Sequence, residues 1–78
     1  GWYERVSIRM CELFNLIAMI FLQKDKFDRC LVFLQKADAL AAHQPKHLAI
    51  TLNNKACYYR KTGKLRTALT CLQDALTL

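Results

Sequence analysis

Asn53, Cys57, Arg60 and Lys61 fall at i, i+4, i+7 and i+8, a spacing that places all four on one face of a helix. Asn54 stands beside them. An asparagine amide both donates to and accepts from a peptide backbone, and Arg and Lys add charge-assisted donors suited to carboxylates. That chemistry is recognition rather than bond-making; a polar helix face of this kind is also what plain solvation produces. Catalysis finds little to use. Ser7 is the single serine and has no triad context, and neither a Gly-rich phosphate loop nor a paired-carboxylate pattern occurs. A Cys57 nucleophile would need a histidine close by, yet along one helix His47 lies about 15 Å away. No enzyme activity and no cofactor are expected.

Four cysteines lie at positions 11, 30, 57 and 71, with no Cys-x-x-Cys pair, and His43 and His47 do not complete a zinc pattern. No metal site is expected. Cys11, Cys30 and Cys71 sit among leucines and alanines at helical spacing, where a free thiol behaves as a small hydrophobe. Reduced thiols imply an intracellular, reducing location, expected here to be the cytoplasm. No secretory signal pattern opens the chain. The longest apolar stretch, Leu13 to Leu22, is broken by Asn15 and falls short of the ~20 apolar residues of a membrane span.

The formal net charge of +6 is uneven. Residues 1–45 hold six basic and five acidic side chains, whereas residues 46–78 hold six basic and only Asp74. Such a field draws anionic partners without choosing among them. Tyr58 and Tyr59 beside Arg60 raise the question of single-stranded nucleic acid.

Four helices must position these groups. The first spans about residues 3–22, with Val6, Met10, Leu13, Phe14, Ile17, Ala18 and Phe21 as its apolar stripe and Leu16, Ile20 and Leu22 widening it. A second runs from about Phe27 to Ala41 on Leu31, Leu34, Ala37 and Leu40, with Asp25 and Asp28 favouring its start by capping and charge. Pro45 opens a third, from about Lys46 to Lys61, which Gly63 ends. The fourth runs from about Leu65. Short connections make consecutive helices antiparallel neighbours.

The chain also repeats itself at an offset of 38 residues. Phe14, Ala18, Phe21, Phe27, Leu31, Leu34, Gln35, Ala37 and Leu40 recur as Leu52, Ala56, Tyr59, Leu65, Leu69, Leu72, Gln73, Ala75 and Leu78, and Cys30 recurs as Ala68. A period of this size marks an array of one supersecondary unit that cannot bury its apolar face alone. The order and spacing of Ala56, Tyr59, Gly63, Ala68, Leu72 and Ala75 resembles the tetratricopeptide repeat, and the first unit matches it through Phe14, Ile17, Ala18, Phe21, Phe27, Cys30, Leu34 and Ala37. The interval is four residues longer than usual, and His43-Gln44-Pro45 with Thr51 to Asn54 and Gly63-Lys64 is similar to the longer repeats of kinesin light chains.

That resemblance implies an all-α fold of two stacked antiparallel helical hairpins, an α-solenoid fragment. Repeat one would cover about 3–41 and repeat two about 46–78, in a single domain cut from a longer protein. It implies a scaffold or adaptor that mediates protein–protein interaction, with the first helix of each unit lining a concave groove. Glu12, Asn15, Leu16, Met19 and Gln23 would line it, with Asn53, Asn54, Cys57, Arg60 and Lys61, and Met19 would give apolar support. The implied ligand is an acidic peptide, extended or helical. Asn15 either marks the groove or faces solvent. Tyr59 falls on a structural position, which weakens the nucleic-acid reading. Lys55 stands where the family has a large apolar residue, so its stem snorkels or the unit is loose. Asp25 replaces the turn glycine and tolerates its conformation better than most residues.

The alternative role is structural. Composition is 54% hydrophobic, above the usual 45–50% or so, and that excess must be covered. Trp2 and Tyr3 would cap the first unit or anchor a partner. Leu69, Leu72 and Leu76 would meet another repeat or another copy, so the isolated chain is expected to self-associate.

Overall fold

The computed structural model describes all 78 residues. Helix α1 spans Trp2–Gln23, α2 Phe27–Leu40, α3 Pro45–Lys61 and α4 Leu65–Leu76. Pro45 occupies the first turn of α3, where its fixed φ suits the helix and its missing N–H is not needed.

The two hairpin turns are built alike. Asp25 (φ 58°) and Gly63 (φ 83°) take the left-handed conformation that ends α1 and α3. The amide of Lys26 donates to Phe21 O at 2.9 Å, and its counterpart 38 residues on, Lys64, donates to Tyr59 O at 2.7 Å. Asp25 is thereby consumed as the stop of α1. It does not cap α2: Lys26 stands at that N-cap without a side-chain bond, and only Asp28 lies in the first turn to oppose the dipole.

Helices α1 and α2 form one hairpin and α3 and α4 the other; α3 lies across both helices of the first, while α4 packs on α3 alone. The result is a slab of 40 × 28 × 13 Å. Its core holds three clusters: Ala18, Leu22, Cys30 and Leu34; Cys11, Ala37 and Ala41; and Ala56, Ala68 and Cys71.

The sealed line of α1 differs from the expected stripe. Cys11, Asn15, Ala18 and Leu22 are buried, whereas Val6, Met10 and Leu13 are exposed. Helices approach most closely where side chains are small, so the seam follows small residues, and large apolar ones flank it. Phe14 and Phe21 pack beside the seam against Phe33 of α2, with ring centroids 5.8 and 5.7 Å apart. In α2 the buried residues are Cys30, Leu34 and Ala37, with Leu31 and Leu40 half-buried. Trp2 and Tyr3 do not fold back as a cap; they are 78% and 73% exposed. Helix α1 also exceeds the sequence expectation in one respect: by length and composition it is long and apolar enough to cross a membrane. Here its small-residue line is covered by α2 and α3.

Lys55 is not loose. Its side chain is mostly buried, and its Nζ lies 2.8 Å from Asp38 Oδ2, so the ammonium of α3 reaches a part-exposed carboxylate of α2. The first repeat thus receives the second through a specific ion pair.

Candidate functional site

A groove runs between α1 and α3. Its upper part is bounded by Glu12, Leu16, Met19, His47, Ile50 and Asn54, with Asn15 at the floor, around a hollow of about 400 Å³. The lower part, about 310 Å³, lies among Met19, Leu22, Gln23, Cys57, Arg60 and Lys61.

The floor is a closed polar network. Asn15 Nδ2 donates to Thr51 Oγ1 at 3.0 Å and to Cys11 O at 3.1 Å. The Thr51 hydroxyl donates to His47 O at 3.0 Å, and Asn54 Nδ2 donates to Asn15 Oδ1 at 2.9 Å. Both donors and the acceptor oxygen of Asn15 are therefore occupied, and no buried side-chain nitrogen or oxygen lacks a partner. Asn15 sits in the groove, but its amide fastens α1 to α3. The Asn54 amide nitrogen is used in the same way.

Met19, Cys57, Arg60 and Lys61 line the lower groove as the resemblance implies. Lys61 is partly engaged, its Nζ 3.2 Å from Leu22 O and 3.3 Å from Asp25 Oδ1. Both side chains of that pair are well exposed, so water screens it and it contributes little. Arg60 is exposed and forms no ion pair within 4.0 Å. Glu12 at the other end faces His47, with Oε2 3.9 Å from Nε2, and Arg9 at 3.5 Å. The lower end of the groove is therefore basic, while Glu12, the one carboxylate at the upper end, is paired with Arg9.

Asn53 lies elsewhere. It borders a second cleft, about 390 Å³, between α3 and α4, with Ala56, Cys57, Arg60, Leu65, Ala68, Leu69 and Leu72. Cys57 and Arg60 form the ridge shared by the two hollows. Leu76 stands beyond the cleft, 87% exposed.

Three of the thiols, Cys11, Cys30 and Cys71, are buried and structural in character. Burial pushes Cys30 and Cys71 above the ordinary thiol range, and pushes Cys11 up against the opposing pull of its Thr51 hydrogen bond. An activated nucleophile needs the reverse shift. No three His, Cys, Asp or Glu side chains converge as metal ligands would. Tyr58 packs on the core cluster beneath α3 and meets Tyr59 edge-on at 5.1 Å, so neither ring is a free stacking platform.

Sequence reasoning missed the Asn15–Thr51–Asn54 network and the Lys55–Asp38 pair. The signal was present: Asn15 stands on the line of Cys11, Ala18 and Leu22, and a polar residue on a line of small ones demands a partner from the next helix.

A family model described as tetratricopeptide repeat matches residues 9–78. No curated protein and no solved structure matches the chain.

Proposed function

The chain belongs to the tetratricopeptide repeat family, and from that membership we propose that it holds an acidic segment of a partner protein at the lower end of the α1/α3 groove. Repeats of this family mediate protein–protein interaction, and the family is one of non-catalytic scaffolds.

Arg60 is the observation that carries the reading. It is an exposed guanidinium with no internal carboxylate, at the mouth of a hollow with the apolar Met19 on its wall. A planar fork of this kind takes a carboxylate in two parallel bonds. Lys61 adds a second cation that a ligand carboxylate can draw away from Asp25. Met19 adapts its shape to the ligand's apolar residues. The excess of basic residues from 46 to 78 supports fast encounter with an anionic partner. Three buried thiols support a reducing compartment. The long interval around His43 to Lys46 supports kinship with kinesin-light-chain-like repeats.

Selection from a random phage-displayed peptide library tests the reading. Recovered peptides should be rich in Asp and Glu, should bind more weakly as salt rises, and should lose binding to the Arg60→Glu, Lys61→Glu double variant. Neutral or basic winners, or undiminished binding by that variant, overturn it.

A further inference from the structure

The 38-residue offset relates the two clefts of the slab. Asn53, Ala56, Arg60, Ala68 and Leu72 border the open α3/α4 cleft. Their counterparts 38 positions earlier are Asn15, Ala18, Leu22, Cys30 and Leu34, all buried where α3 packs on the first hairpin. One cleft of this design is filled by a helix, and the other stands open.

The filling helix shows what such a cleft accepts. Leu48 packs on Cys11, Ala37 and Ala41, and Tyr58 packs on the cluster of Ala18, Leu22, Cys30 and Leu34. Between them Thr51 and Asn54 bond to Asn15, and Lys55 pairs with Asp38. The same positions 38 residues earlier on α1 are Met10, Ile20, Leu13, Leu16 and Ile17. Met10, Leu13, Leu16 and Ile20 are 42%, 55%, 64% and 51% exposed. So α1 displays, unpartnered, the register by which α3 seats itself.

We infer that the α3/α4 cleft receives α1 of a second copy of this chain, and that copies add head to tail. This goes beyond the peptide reading: it turns on the outer face of α1 and on the α3/α4 cleft, which meets the peptide groove at the ridge of Cys57 and Arg60. The individual contacts translate well. The Lys55–Asp38 ion pair becomes Ile17 against Leu76, apolar on apolar. The bond from Lys61 to the Leu22 carbonyl becomes one that the Gln23 amide makes to the Arg60 carbonyl. One contact translates poorly: Asn53 meets Leu13 and Leu16 where Asn15 meets Thr51 and Asn54. The association is therefore weaker than the internal one. Because the two faces differ, the contact is heterologous and does not close on itself as a two-fold dimer does.

Sedimentation velocity over a concentration series reads the outcome, with Leu13→Glu blocking the α1 face and Leu76→Glu blocking the α4 face. Both sites are exposed, and far-UV circular dichroism checks that the variants remain helical. The wild-type mass should climb with concentration past the dimer. Each variant alone should associate roughly thirtyfold more weakly or worse, the scale of a central interface residue. Mixed in equal amounts, the two should form a dimer and nothing larger, since one carries an intact α1 face and the other an intact cleft. A monomeric wild type overturns the proposal. So does a mixture that stays monomeric, or a dimer formed by either variant alone, which would indicate a two-fold contact.

Discussion

The filled cleft under α3 and the open cleft beside α4 are made from equivalent residues, yet they hide different amounts. Ala18, Cys30 and Leu34 are each 0% exposed, whereas Ala56, Ala68 and Leu72 are 5%, 7% and 40% exposed. A two-helix hairpin therefore closes over its small residues unaided and leaves its leucine half open. The leucine is sealed only when a third helix arrives. Stability in this slab belongs to the three-helix unit α1–α2–α3, and the α3/α4 hairpin holds what is left over for contact with something else.

Equivalent truncations test this directly. Leu34→Ala should destabilise the chain by about 2–5 kcal/mol, the range for a core leucine whose surroundings cannot collapse. Leu72→Ala should remove about 1 kcal/mol or less, because water already reaches that side chain. Urea unfolding measures both. Similar losses at the two sites would mean that the open cleft is already packed in solution, and would erase the contrast.

The two asparagines give the next largest contrast. Asn15→Ala removes the donor to the Thr51 oxygen and the acceptor of the Asn54 amide and should cost about 1–3 kcal/mol. Asn53 is exposed and its side chain holds no other element, so Asn53→Ala should change stability by about 0.5 kcal/mol or less. Asn53→Leu sharpens the comparison: it should leave folding nearly unchanged and strengthen self-association, because Leu13 and Leu16 of the next copy would then meet a leucine.

How much of this was legible beforehand follows from what each residue needs. Helix ends were readable because Pro45, Gly63 and Asp25 act locally through their own backbone angles. The repeat was readable because its small residues recur in register. The buried stripe of α1 was readable only in part, at Ala18 and Leu22, since hydrophobic size pointed also to Met10 and Leu13 while helix contact selected Cys11 and Asn15. Size reports what a residue would gain from burial, not whether a neighbour is there to bury it. Of the groove, Met19, Cys57, Arg60 and Lys61 were placed by helical spacing within one element and by the family's groove. The roles of Asn15 and Asn54 depend on a contact between residues 39 apart in sequence, and Asn53 turns to the other cleft. No spacing within one helix encodes either.

The thiols offer a smaller test. Cys30 has Ala68 as its counterpart, so Cys30→Ala substitutes the side chain that the second repeat already uses. At neutral pH it should cost about 1 kcal/mol, for one lost heavy atom and the space left. Its effect on pH dependence is more telling. The folded state holds the Cys11, Cys30 and Cys71 protons above their ordinary value of 9.0, because burial disfavours the thiolate. Above pH 9.0 the unfolded chain loses those protons while the folded chain keeps them, so stability is full below that pH and falls as pH rises through the folded values. Cys30→Ala should flatten the fall in melting temperature above pH 9.0. An unchanged slope would assign the alkaline loss to Cys11, Cys71 and Tyr58, whose hydroxyl burial also pushes up.

The two turns predict the smallest differences. Gly63→Asp places a side chain in the left-handed region and should cost roughly 0.5–1 kcal/mol. Asp25→Gly is the reverse exchange, but it also deletes the exposed carboxylate facing Lys61. Relief of backbone strain and loss of a screened ion pair oppose each other, and the added freedom of glycine in the unfolded chain offsets more of the gain. The net change should stay within about 0.5 kcal/mol. Its functional consequence should exceed its effect on folding. Without Asp25, the Lys61 ammonium keeps its bond to the Leu22 carbonyl but faces no internal carboxylate, and an acidic peptide should bind the groove more tightly than it binds the wild type. Unchanged affinity in Asp25→Gly would show that Lys61 does not reach the ligand and would leave Arg60 as the sole cation of the site.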